Sequence, residues 1–95
     1  MKHYIIVKLL DKSNIDLYIS IVKPIYEEMV KEVDGLSKYE LIINKVNGKN
    51  NYDVMARLYF DSLESLETNY KPNHLHHDLK DKSEYLVEKK TIFDE

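Results

Sequence analysis

Apolar residues along this chain fall into runs suited to strands and into spacings suited to helices. Residues 3–10, HYIIVKLL, are β-branched and apolar over a span too short for a good helix, and predict a strand. The turn DKSN follows, where Ser13 with Asp16 three positions later resembles a capping box. Ile15, Tyr18, Ile19, Val22, Ile25, Tyr26, Met29, Val30 and Val33 then recur at spacings of three and four. That period predicts an amphipathic helix of about five turns. Pro24 lies inside it, removes one backbone donor and should bend it locally. Gly35 stops it.

The second half repeats the theme. LSKYELIINKV (36–46) predicts a second strand, and NGKNN (47–51) a hairpin loop with an Asn-Gly turn signal. In YDVMARLYF (52–60) the alternation places Tyr52, Val54, Ala56, Leu58 and Phe60 on one face of a third strand. Asp53, Met55, Arg57 and Tyr59 take the other. Asp61 with Glu64 can cap a second helix, with Leu63 and Leu66 inward, and Pro72 ends it. Asn73 caps a short turn carrying the histidines, anchored by Leu75 and Leu79, and LVEKKTIFD (86–94) closes as a fourth strand.

The order β-α-β-β-α-β is the ferredoxin-like arrangement, an α+β fold with two helices on one face of a four-stranded antiparallel sheet. The other face then has no cover within the chain. Met55, Arg57 and Tyr59, joined by Tyr4, Ile6 and Phe93, make it too apolar for solvent and too polar for a core. A second copy of the chain, packed sheet to sheet, is the simplest cover.

Composition narrows the function. Ninety-five residues make one domain, 1–95, with the absence of cysteine excluding thiol chemistry and fitting a reducing compartment. Neither a signal-peptide core nor a membrane span is present, so a cytoplasmic location is expected. The formal charge is −3 and arginine occurs once, at Arg57, which argues against nucleic acid as the partner. The run HLHHD (74–78) looks like a set of zinc ligands, but three or four must converge. On a helical turn His74 and His77 share a face while His76 points elsewhere, so at best two converge locally. No metal and no cofactor is expected.

KHYIIVKL at the start, VDGLSKYEL between helix and strand, NYDVMARLYFDSLESLETNY and the following KPNH together resemble the stress-responsive A/B barrel family, the dimeric α-β barrel proteins. The resemblance spans nearly the whole chain and implies a homodimer with two sheets face to face and the helices outside. Its catalytically understood members are cyclases that close poly-β-keto chains by aldol condensation in a pocket between helices and sheet. Carried over, their site implies His74 of Pro-x-His as the acid–base group, with His3 opening the first strand and Asp94 ending the last. Tyr26 and Val22 on the first helix, Val54 on the third strand and Tyr70 would line the pocket. Two positions depart from the pattern. One residue fewer separates Phe60 from His74, so Tyr70 fits only if the helix end shifts and Asn69 holds the nominal place; Val54 stands where the cyclases carry histidine.

Three functions remain open at this point: a dimer binding a small, partly apolar molecule; a cofactor-free enzyme of cyclase or related proton-transfer type, or of monooxygenase type; and a ligand-free structural or stress-associated dimer. His3 and Asp94 could orient one another as an acid–base pair or form only an edge ion pair. The metal expectation is directly testable. Dialysis against a mild chelator should leave no stoichiometric zinc or copper bound, and retained metal that is lost in His76→Ala would contradict it.

Overall fold

The computed structural model describes residues 1–46 and 48–95. Strand β1 (Lys2–Leu9) leads through a 3-10 turn into helix α1 (Ile15–Glu32), then β2 (Leu36–Ile43) and β3 (Val54–Phe60). A π-helical turn (Ser65–Tyr70), helix α2 (His74–Ser83), a second 3-10 turn and β4 (Val87–Asp94) complete the chain. All pairings are antiparallel and the sheet order is β2-β3-β1-β4. This is the ferredoxin-like α+β arrangement, with both helices on one face.

The alternation of the strands does the sorting. His3, Ile5, Val7 and Leu9 of β1 and Val54, Ala56, Leu58 and Phe60 of β3 are buried beneath the helices. Tyr4, Ile6, Met55, Arg57 and Tyr59 occupy the opposite face, each half-buried within the single chain. From α1 the inward stripe is Tyr18, Val22, Ile25, Tyr26 and Met29. Truncating a fully buried member such as Met29 to alanine would cost about 2–5 kcal/mol.

Several local expectations are corrected. Before α1 the capping oxygen belongs to Asp11, which accepts from the Ser13 backbone N–H at 2.9 Å, and Ser13 with Asp16 forms no box. Pro24 lies inside α1 as expected, and the donor it lacks would have met Ser20, on the exposed side of the helix. The second predicted helix is capped by Ser62, whose Oγ accepts from the Ser65 N–H at 3.2 Å, and Leu63 lies exposed. The histidine segment is a ten-residue helix rather than a short turn, although Asn73 does cap it, accepting from the Leu75 N–H at 2.8 Å. Asn47 of the predicted Asn-Gly turn lies outside the described residues.

The third strand starts two residues late. Asp53 is buried and turns its carboxylate back to the end of β1, where it accepts from the Leu9 N–H at 2.8 Å and from Lys12 Nζ at 2.5 Å. The alternation is lost there. Tyr52 consequently leaves the face expected of it, and its hydroxyl lies 2.8 Å from Thr91 Oγ1 on the helix-free side.

Gly35 is the joint between α1 and β2. Its φ is +90°, and a Cβ there would overlap the side chains of Ser65 and Asp61. The Gly35 carbonyl accepts from the Asp61 N–H at 2.9 Å, so the entry to the π-turn is docked against a position without a side chain. Gly35→Ala should destabilise by at least about 1–2 kcal/mol from the backbone conformation alone. That corresponds to a fall in Tm on the order of 5–10 °C. An unchanged melting curve by circular dichroism would contradict it.

Candidate functional site

Between the helices and the β1–β4 half of the sheet lies a cavity of about 230 Å³. The floor comes from β1 (His3, Ile5, Val7), the wall from α1 (Tyr18, Tyr26), and the roof from Tyr70 and from His76, Leu79 and Ser83 of α2. It opens at Lys80, Glu84 and Lys90.

His3 and Asp94 face one another because β1 and β4 are antiparallel neighbours whose register pairs these residues. His3 Nδ1 is 2.5 Å from Asp94 Oδ1; the imidazole is buried, while the carboxylate keeps 42% of its surface. Tyr70 meets the His3 ring edge-on at 5.6 Å and packs against Phe60 at 5.3 Å.

Tyr70 reaches this position through the π-turn. The Lys71 N–H donates to the Leu66 carbonyl at 3.1 Å, five residues back, which widens the turn. The wide turn supplies the shift that Tyr70 required. Asn69, the nominal pocket position, instead donates its side-chain amide to the Asp34 carbonyl at 3.0 Å.

The histidines separate as a helix demands. Residues two apart on a helix point about 200° away from each other, so His74 and His76 cannot both face the cavity. His76 does. Its Nδ1–H donates to the Lys71 carbonyl at 3.0 Å and its ring lies 4.6 Å from that of Tyr70. A carbonyl only accepts, so this bond leaves Nε2 as the unprotonated nitrogen of the neutral ring. Burial holds the His76 pKa below the ordinary histidine value, with Lys90, His77 and His3 acting in the same direction.

His74, the residue expected in the pocket, opens α2 on its outer side. It is 65% exposed and bonds Glu32 of α1, with Nε2 at 2.9 and 3.1 Å from the two carboxylate oxygens. His77 is exposed. Among the described residues no three His, Asp or Glu side chains come together as metal ligands.

The remaining pocket expectations divide. Tyr26 and Tyr70 line the cavity, whereas Val22 and Val54 pack in the core outside it. Tyr18, His76, Lys80 and Lys90 also line it without having been expected there. A signal for the α2 contribution exists: His76, Leu79, Lys80 and Ser83 follow the i, i+3, i+4, i+7 pattern of one helix face.

The hydroxyls of Tyr26 and Tyr70 are buried and have no hydrogen-bond partner among the described residues. Leaving a buried hydroxyl unpaired costs about 1–3 kcal/mol. Burial also raises the proton affinity of all three cavity tyrosines, lifting Tyr18 to about 12 and Tyr26 well above the ordinary value. They are therefore donors throughout the neutral range.

Antiparallel sheet, paired helices and an enclosed polar-apolar cavity define an α+β protein of the ferredoxin-like class. Within that class the model of the stress responsive A/B barrel domain matches residues 1–95, and the chain belongs to this family. No curated protein matches it by sequence. Among solved structures it is similar to a protein of Arabidopsis thaliana at 16% identity and TM-score 0.79, covering 99% of this chain and 91% of that one. A dimeric protein of unknown function from Bacteroides fragilis is similar at 18% identity and TM-score 0.74, with coverage of 99% and 92%. A putative antibiotic biosynthesis monooxygenase from Bacteroides thetaiotaomicron is similar at 12% identity and TM-score 0.77, with coverage of 100% and 86%. At these identities the likeness concerns the fold. Among the described residues no helix is long and apolar enough to cross a membrane.

The His76 geometry predicts a measurable titration. By NMR its neutral ring should carry the proton on Nδ1, and it should titrate below the ordinary value of about 6.5. Because the folded-state pKa is depressed, the unfolded chain binds the proton more readily. Stability should therefore decline as pH falls from about 6.5 through the lower folded-state value. A neutral ring protonated on Nε2, or titration above 6.5, would contradict the assignment.

Proposed function

We propose that the protein is a homodimer that binds a small, partly apolar molecule in the cavity between helices and sheet. The observation that carries the binding reading is the pair of buried hydroxyls, on Tyr26 and Tyr70, without a partner among the described residues, on side chains that line a largely apolar cavity. An acceptor oxygen on a ligand would relieve both desolvation costs. Small-molecule sites in general combine an apolar lining with a few convergent polar groups.

The dimer reading rests on the helix-free face. Phe93 is 60% exposed there beside Tyr4, with ring centroids 6.1 Å apart. Arg57 and Glu40 on that face are already paired within the chain, and Lys38 and Lys89 lie over the Tyr59 and Tyr52 rings. Glu40 accepts from Arg57 Nε at 2.9 Å and from the Tyr59 hydroxyl at 2.6 Å, so the cluster can be covered without stranding a charge. Similar structures from Bacteroides fragilis and Thermobifida fusca are described as dimeric.

A second reading, cofactor-free proton-transfer catalysis, is favoured by the His76 tautomer. Nε2 could take an acidic proton from the carbon beside a ligand carbonyl. The C–H electron pair would become the enolate double bond, and the negative charge arriving on oxygen would be met by a Tyr26 or Tyr70 hydroxyl. In this reading the acid–base role falls to His76 instead of His74, and His3 with Asp94 holds the ring packing around Tyr70.

Two measurements test these readings. Sedimentation equilibrium at micromolar concentration should give a dimer burying on the order of 1,500 Å² in total, and Met55→Asp should shift it to monomer. A wild-type monomer would remove the dimer. For catalysis, deuterium uptake from D2O at the central carbon of a cyclic β-diketone should be accelerated by the protein. His76→Ala should lower that rate about 10²-fold or more, and His74→Ala should leave it within twofold. Equal losses in the two variants would exclude His76 as the base.

A further inference from the structure

The mouth of the cavity carries charge that neither reading above uses. Lys80 stands on one lip, four residues after His76 on α2. Lys90 stands on the other, on β4 opposite Val7, and therefore on the helix-facing side of the sheet. Among the described residues neither lysine forms an ion pair, as is true of several other surface lysines; what distinguishes these two is their place on opposite lips of the cavity. Glu84 is the third charged group at the rim. Two lysines and one glutamate leave a single positive charge at the rim; the Asp94 carboxylate, 42% exposed and outside the lining, is bonded to His3.

Size limits what enters. A dry cavity of about 150 Å³ accommodates benzene. At about 230 Å³ this one has room for a ring of that size with a few further heavy atoms. Tyr26 and Tyr70 line the cavity, and their buried hydroxyls have no partner among the described residues.

We propose that the cavity selects a small monocarboxylate with a ring-sized apolar body and a carbonyl or similar acceptor oxygen at the end opposite the carboxylate. The carboxylate sits between Lys80 and Lys90, the body against Ile5, Val7 and Leu79, and the acceptor oxygen takes the phenolic hydrogens. The single net charge at the rim matches one negative charge and not the two of a phosphate monoester. This inference rests on the small-molecule reading and adds the class of ligand. An inward lysine on an edge strand also guards against edge-to-edge association. Charge at position 90 would serve that purpose with either sign, whereas ligand selection requires the positive one.

The experiment uses 4-acetylbenzoate, its methyl ester and 4-ethylbenzoate, each titrated into the intact protein and followed by amide and methyl NMR shifts. The acid should bind at least tenfold more tightly than the ester at low salt, and the gap should narrow at high salt. Lys90→Glu and Lys80→Gln, both at exposed positions, should each weaken the acid severalfold and leave the ester unchanged. Tyr26→Phe should erase the preference for the acetyl over the ethyl compound. Equal binding of acid and ester, with shifts mapped to the cavity, would overturn the carboxylate assignment while leaving the small-molecule reading standing. No shift at cavity residues with any of the three compounds would overturn both.

Discussion

The period-two alternation of β1, bonded to β3 on one edge and to β4 on the other, is the constraint on which the rest of the structure depends. A slip of one residue would carry His3, Ile5, Val7 and Leu9 to the wrong face and expose Tyr4 and Ile6 to the helices. The same register sets Asp94 against His3 across 91 positions of sequence. Core, cavity floor and helix-free face are thus decided by one strand. The buried carboxylate of Asp53 anchors the end of that strand by accepting from the Leu9 N–H and from Lys12.

Much of this was legible in the sequence, because it depends on residue types recurring at short periods. The α1 stripe from Tyr18 to Met29 and the inward set of β3 follow directly from such periods, and they fix the layer order. The His3–Asp94 contact followed from topology once the strand order was known. The failures lie where a single tertiary contact overrides a local pattern. Asp53 bonds backwards to β1 and so breaks the alternation at Tyr52. A short turn was expected where α2 runs for ten residues; helical phase already set His76 apart from His74 and His77, and it was the resemblance that put His74 in the pocket. The Pro-x-His resemblance identified the right segment but not the side chain that faces the cavity.

The cavity itself is a departure from tight packing. Natural interiors leave few voids and few unpaired polar atoms. Here aromatic hydroxyls from α1 and the π-turn are gathered around one hollow, and each could have been phenylalanine at a gain in stability. Tyr26 stacks on Tyr39 with ring centroids 5.7 Å apart, so its ring is held by packing while its hydroxyl has no partner among the described residues. Stability is given up at a rigid site, the distribution expected where a protein recognises something other than itself.

The π-turn has an implication for how this segment can change. A side chain on an ordinary helix advances about 100° per residue, and a five-residue hydrogen-bonded turn absorbs one residue without disturbing either end. Removing one residue between Ser65 and Tyr70 would let the segment relax into α-helix with both docked ends, Ser65 against Gly35 and Asn73 capping α2, still in place. Tyr70, whose carbonyl accepts from the Asn73 N–H at 3.1 Å, would keep its place against His3, and only the residues before it would change face. Chain length in this segment is therefore tolerant: the wide turn can give up a residue while the aromatic roof of the cavity and the rest of the fold stay fixed.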